Sequence, residues 1–303
     1  MFSLRNLLIL NLFLGAALVF FLVSGFKGKQ PTDNSPQSPE QIVRSISLKK
    51  DFSFCGEPFP MDNFDVQQRL DQELLRNVYY HSHTILAIKR AGSIFPIIEP
   101  ILKEEGAPDD LKYLAVAESV LSNAVSPAGA RGVWQFMKGA GIEHGLEINS
   151  EIDERYHLEK ATRAACKYMK SQYKKQGSWI AAAAAYNGGP GRISTEMEKQ
   201  EATSFFDLNL AADETMRYPF RIVAIKEVME HPENYEYIIP KEHLYQPLDD
   251  YKIVEVNDSV ESWAAFAKKH GISYRTLKVY NPWLISSQLT NKSKKTYEIR
   301  IPK

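Results

Sequence analysis

Residues 108–121 read Pro-Asp-Asp-Leu-Lys-Tyr-Leu-Ala-Val-Ala-Glu-Ser-Val-Leu. Leu111, Leu114, Ala115, Glu118 and Leu121 fall at i, i+3, i+4, i+7 and i+10, which predicts a helix with these residues on one face. Pro108 suits the first helical position, and Asp109 and Asp110 suit the positive end of the helix dipole. Glu118 is thereby carried on the face that turns inward. A carboxyl pressed against apolar side chains, with no cation beside it in sequence, favours its protonated form. A general acid working near neutral pH needs that form. Structural ion pairs also hide carboxylates, so this helix alone does not decide a function.

Helical spacing extends in both directions. Val66, Leu70, Leu74 and Val78 predict a helix with Asp62 or Asn63 as N-cap, prolonged through Ile85 and Ile88. Phe95–Leu102 reads as a short second helix, stopped by Gly106-Ala107-Pro108. Leu158–Gln176, Trp179–Tyr186 and Glu214–Met229 predict three more, so the middle of the chain is mostly α. A proline-punctuated connector over His231–Gln246 ends this pattern. Tyr251–Val256 and Tyr297–Ile301 then read as strands flanking two helices, Val260–His270 and Tyr274–Tyr280. Asp258 and Glu261 are spaced as a capping box for the first of these helices. The result is a small β-α-α-β module.

The 303 residues carry 37 Lys plus Arg and 37 Asp plus Glu, which argues against a nucleic-acid binder built on bulk positive charge. Hydrophobic residues at 44% and charged residues at 24% exclude wholesale disorder. Two cysteines, Cys55 and Cys166, exclude a disulfide-dense miniprotein and a cysteine zinc cluster. Whether the two pair is open, because spacing does not say whether the sulfurs meet.

Residues 7–26 form an almost unbroken apolar run, preceded by Arg5 and followed by Lys27 and Lys29. Twenty such residues reach across a bilayer as a helix of roughly 30 Å. The run reads as an uncleaved membrane anchor, with a cleaved signal peptide as the alternative. Flanking charges leave the orientation open. Residues 28–60 are polar and proline-bearing and read as a mostly disordered tether.

Three further segments bear on Glu118. Ser126–Gly132 is a run of small and turn-forming residues where backbone can approach a ligand, and it leads into Val133-Trp134-Gln135-Phe136-Met137. Gln135 offers both a donor and an acceptor, as sugar hydroxyls and acetamides require. Trp134 is equally a core residue or a sugar platform. Five alanines, Ala181–Ala185, permit close helix packing, and Asn187-Gly188-Gly189-Pro190 stops that helix with Tyr186 and Asn187 at its tip.

In this order, Glu118-Ser119, Gly132–Met137, Ala185–Gly189 and Glu214-Thr215-Met216-Arg217-Tyr218 resemble the bacterial lytic transglycosylase family with a soluble-transglycosylase, goose-lysozyme-like (SLT) domain, over roughly Phe95–Glu230. The layout looks most like the family's membrane-bound D type. The last 55 residues resemble a LysM module, with Asn257 where LysM usually has glycine and no glycine turn before the last strand. The resemblance implies a mostly α chain: a lysozyme-like helical catalytic domain with a small C-terminal β-α-α-β module. It divides the chain into a signal anchor or signal peptide (1–26), a flexible linker (27–60), an N-terminal helical extension (61–94), the SLT domain (95–232), a connector (233–248) and the LysM-like peptidoglycan-binding module (249–303).

By the same resemblance the substrate is peptidoglycan glycan strands, cleaved without metal or cofactor. Glu118 is the single catalytic acid. Tyr186 should hydrogen-bond near it, Gln135 and Asn187 should contact the saccharide, and Ser119, Ser126 and Tyr218 belong to the same substrate-binding set. The implied product is a 1,6-anhydromuramoyl end. A goose-type lysozyme hydrolase and an inactive wall-binding scaffold are the alternatives. The implied place is the periplasmic side of a bacterial envelope, with the membrane met through the N-terminal helix. Protein partners, endo against exo action and oligomeric state are not readable from the residues.

Overall fold

The computed structural model describes residues 44–48 and 51–303. The membrane-span reading of residues 1–26 lies outside them. Among the described residues no helix is long and apolar enough to cross a membrane.

Helix α1 (Phe64–Tyr79) starts where the Asn63 side chain accepts the amide of Asp65, and it buries Val66, Leu70, Leu74 and Val78. Each of these side chains contributes roughly 1.5–3 kcal/mol relative to leaving it in water. The helix stops at Tyr80 (ψ 63°), earlier than the apolar spacing predicts. Helix α2 (His81–Glu104) then runs unbroken through Pro96 and Pro100, where the sequence suggests a boundary near Phe95. α1 is not peripheral: its apolar stripe joins the same core as the helices after it.

Helix α3 (Leu111–Ser119) begins three residues later than Pro108 predicts. Asp110 does not cap it. Its carboxylate instead accepts from Lys226 Nζ (2.8 Å) and from the amide of Cys55 (2.7 Å). After the short α4 (Lys138–Glu143), helix α5 (Leu158–Gln176) has the bounds its sequence predicts and is closed by left-handed Gly177. Helix α6 (Trp179–Gly188) packs between α5 and α8 (Asp213–Glu230), with Ala181–Ala185 fully buried; the methyl side chains let the neighbouring backbones come close. Helix α7 (Pro190–Lys199) follows directly after Gly189.

The tether reading needs correction over residues 51–60. Strands β1 (Ser53–Phe54) and β2 (Glu57–Pro58) form a short antiparallel hairpin that buries Phe52, Phe54 and Phe59 in the main core. Glu57 accepts the amides of Trp179 (2.6 Å) and Ile180 (3.1 Å), so this hairpin caps α6 with a carboxylate at its positive end. Both cysteines are free thiols.

Strands β3 (Tyr251–Val256) and β4 (Tyr297–Pro302) pair antiparallel around helices α9 (Trp263–Lys269) and α10 (Tyr274–Tyr280), giving the β-α-α-β module. The Asp258–Glu261 capping box does not form. Val260 is drawn into a bridge with Leu289, and Ser262 caps α9 by accepting the amide of Ala265. Trp263, Leu277, Trp283, Ile299 and Ile301 build the module's core, and Ile152 from the helical part completes it.

Candidate active site

Glu118 occupies the last turn of α3, and the chain turns sharply behind it. Val120 (φ 53°) and Leu121 (φ 56°) are both left-handed, a costly conformation for residues with a Cβ, and especially for β-branched Val120. The amide of Val120 bonds to Val116 O (2.8 Å) and its carbonyl accepts from Arg90 Nη1 (3.0 Å), which hold the turn. The turn leaves the Glu118 side chain partly open rather than sealed in the core.

Tyr218, buried on α8, donates its hydroxyl to Glu118 Oε1 at 2.5 Å. Burial is the largest influence on the Glu118 carboxyl and pushes it up to about 7; the Tyr218 bond and the charge of Arg221 pull it back, and Glu214 adds to the rise. Glu214 itself is clamped by Arg221 through two bonds (2.6 and 2.9 Å), which hold its carboxyl below the usual range. With Oε1 bonded to Tyr218, Oε2 is the carboxyl oxygen that Tyr218 leaves uncontacted.

The other expected site residues sort differently. Tyr186 does not bond to Glu118. Its hydroxyl donates to Trp134 O (2.5 Å), although Glu118 lies close enough that its charge helps raise the phenol, after burial. Trp134 is core, with Nε1 donating to Thr162 Oγ1 (2.9 Å). Ser119 spends its hydroxyl on Val133 O (2.8 Å), tying α3 to the Gln135 loop. Ser126 accepts the amide of Ala130 (3.0 Å) and closes a tight turn. Both serines, expected at the saccharide, therefore hold the loop. Gln135, left-handed at φ 50°, donates both Nε2 protons inward, to Ala124 O (3.0 Å) and Gly132 O (2.8 Å). That leaves the amide oxygen, Oε1, as the remaining hydrogen-bonding group of this side chain. Asn187 Oδ1 accepts from Thr215 Oγ1 (3.0 Å), which leaves its amide donors for a ligand. Gly188 is required beside it, because a Cβ there would sit 2.5 Å from Thr215 Cγ2.

Residues 95–209 match the family described as Transglycosylase SLT domain. The chain carries a transglycosylase SLT domain. Residues 252–303 match a second family, the soluble lytic transglycosylase C-terminal LysM-like domain. Over 247 residues the chain is 28% identical to the membrane-bound lytic murein transglycosylase D of Escherichia coli K12, covering 78% of this chain and 53% of that protein. The protein of the same name from Escherichia coli O6:H1 matches to the same extent. The chain thus spans about half the length of the curated relatives it matches. A solved structure, an inactive mutant of the lytic transglycosylase Slt from Pseudomonas aeruginosa, covers 50% of this chain and 26% of its own at 20% identity, with a TM-score of 0.38. The SLT domain match contains Glu118, Gln135 and Asn187 but stops short of Tyr218, the residue that touches the Glu118 carboxyl.

Removing the Tyr218 hydroxyl removes a bond that favours ionised Glu118. Tyr218→Phe is therefore expected to move the alkaline limb of the kcat/KM profile upward by about one to two pH units, a hydrogen bond to a charged group being worth about 1.5–3 kcal/mol. A pH titration of muropeptide cleavage checks this; a limb that stays in place refutes the contact.

Proposed function

We propose that this chain is a peptidoglycan lytic transglycosylase in which Glu118 acts alone as acid and then as base. The observation that carries the reading is the Glu118 carboxyl, held at about 7 by burial and met by Tyr218. Protonated, Glu118 delivers its proton to the glycosidic oxygen between N-acetylmuramic acid and N-acetylglucosamine. The carboxylate left behind takes the proton of the muramoyl C6 hydroxyl. That oxygen attacks C1 and closes the 1,6-anhydro ring. One group serves both steps because its proton affinity sits near working pH.

Hydrolysis by the usual two-carboxylate scheme needs a second free carboxylate, as nucleophile or as base for water. Glu214, the carboxylate whose charge Glu118 feels, is bound bidentate by Arg221 and is not free for that task. Gln135 Oε1 and the Asn187 amide supply an acceptor and a donor for the sugar. The apolar run of residues 7–26 would hold the enzyme at the membrane, facing the wall, and the LysM-like module would sit against the glycan.

Mass spectrometry of sacculi digested by the purified protein tests the reaction. Products ending in 1,6-anhydromuramic acid, one water lighter than reducing ends, are expected. Reducing ends alone would make the enzyme a hydrolase.

A further inference from the structure

Arg155, buried on the 3-10 turn Glu154–Tyr156, is placed by nothing in the reaction proposed above, yet it touches the substrate loop at both ends. Its Nη1 donates to Gly129 O and to Phe136 O (both 3.2 Å), bracketing Gln135. Nε and Nη2 donate to the two oxygens of Asp153 (2.8 and 2.7 Å), so the guanidinium plane is locked. The Arg155 carbonyl lies directly against Gly132.

The other edge of the same segment belongs to the C-terminal module. Asp153 donates its amide to Trp283 O (2.9 Å), Ile152 is bridged to Leu284 and buried in the module's core, and the Glu151 carbonyl accepts from Ile285 N (3.0 Å). Thr290 holds the Glu151 carboxylate through its amide (2.9 Å) and hydroxyl (3.1 Å). Lys295 pairs with Glu147 and Arg300 with Glu159. Residues 249–303 carry ten Lys plus Arg against six Asp plus Glu, and part of that basic excess is spent on Glu147 and Glu159.

We infer that the C-terminal module is a positioning element for the reaction: by seating residues 151–153 it fixes Arg155, and Arg155 is the positioning residue that holds the Gln135 loop in its substrate-binding shape. This rests on the reading of the Glu118 site, and the tests separate the two. In the full chain, Arg155→Lys keeps the charge but loses the fork, and Ile152→Ala loosens the seam. Both are expected to raise KM about tenfold on a glycan tetrasaccharide. The alkaline limb set by Glu118 should stay in place. A merely structural loss would lower kcat through the folded fraction and leave KM alone.

The unaltered protein supplies a second measurement, independent of cleavage. Native-state amide exchange should show Arg131 and Gly132 opening together with Asp153 and Ile285, at one common free energy and denaturant dependence. An unchanged KM in folded variants, or loop amides that exchange faster than the seam, would overturn the inference. If instead the variants behave as expected but Glu118→Gln cleaves normally, the positioning role stands and the assignment of Glu118 falls.

Discussion

Glu118→Gln is expected to lose glycan cleavage by a factor on the order of 10²–10⁴, the span that a positioned general acid usually contributes, while the protein stays folded. The amide keeps the volume of the side chain and still offers Oε1 to Tyr218, but it carries no transferable proton. A separate signature comes from stability. The Glu118 carboxyl sits at about 7 in the folded chain against an ordinary value of 4.5, so the folded state holds a proton that the unfolded chain has already released. Stability contributed by that proton is complete below pH 4.5 and is lost as pH rises through 7. The full difference is on the order of 3 kcal/mol. Glutamine does not titrate. The variant should therefore gain on the parent across this window and be the more stable protein at pH 8. Thermal melts of both proteins at pH 4 and pH 8, run beside the cleavage assay, check the two effects together. Parent-like cleavage would refute the catalytic assignment, and a stability difference independent of pH would refute the burial argument.

Gly132→Ala is expected to cost more stability than any other single change in the substrate loop, about 4 kcal/mol or more. Gly132 is left-handed at φ 81°, and a Cβ would lie 1.9 Å from the carbonyl oxygen of Arg155. That neighbour is backbone, buried and fixed by the Asp153–Arg155 pair, so it cannot step aside as a flexible side chain would. Two costs combine: strain at a conformation that alanine adopts poorly, and displacement of a packed turn. Urea unfolding should show a lower midpoint. Alanine at Gly129, also left-handed but with nothing within 4 Å of its Cβ position, should cost only the backbone strain. Equal losses at the two glycines would show that the contact with Arg155 is unimportant.

The helices were legible because their periodicity is strong. Val66, Leu70, Leu74 and Val78 share one face of α1, and Asn63 marks its start by chemistry that is local in sequence. The misread points are those where a distant partner intervenes. α2 continues through two prolines where local rules expect a break. The 51–60 hairpin is held by a core that only the folded chain supplies. The family resemblance places Ser119, Ser126 and Tyr186 at the ligand. The hydroxyls of Ser119 and Tyr186 donate to the carbonyls of Val133 and Trp134, Ser126 accepts the amide of Ala130, and no spacing rule reports which backbone group will face which hydroxyl.

Glu73 and Glu118 mark the division most clearly. Glu73 shares the apolar face of α1 with Leu70 and Leu74 but has Arg69 and Arg76 one helical turn away, whereas no cation stands one turn from Glu118. In the fold, Glu73 is met by Arg76 (2.7 Å) and Arg217 (2.6 Å), an ion pair that holds α1 to α8. Glu118 meets a neutral tyrosine hydroxyl and stays partly open to a ligand. Amino-acid order therefore determined the helices, the two-part layout and the inward direction of Glu118, because these follow from contacts a few residues apart. What each carboxylate meets was decided by the tertiary structure, since Arg217 reaches Glu73 from 144 residues along the chain and Tyr218 reaches Glu118 from 100.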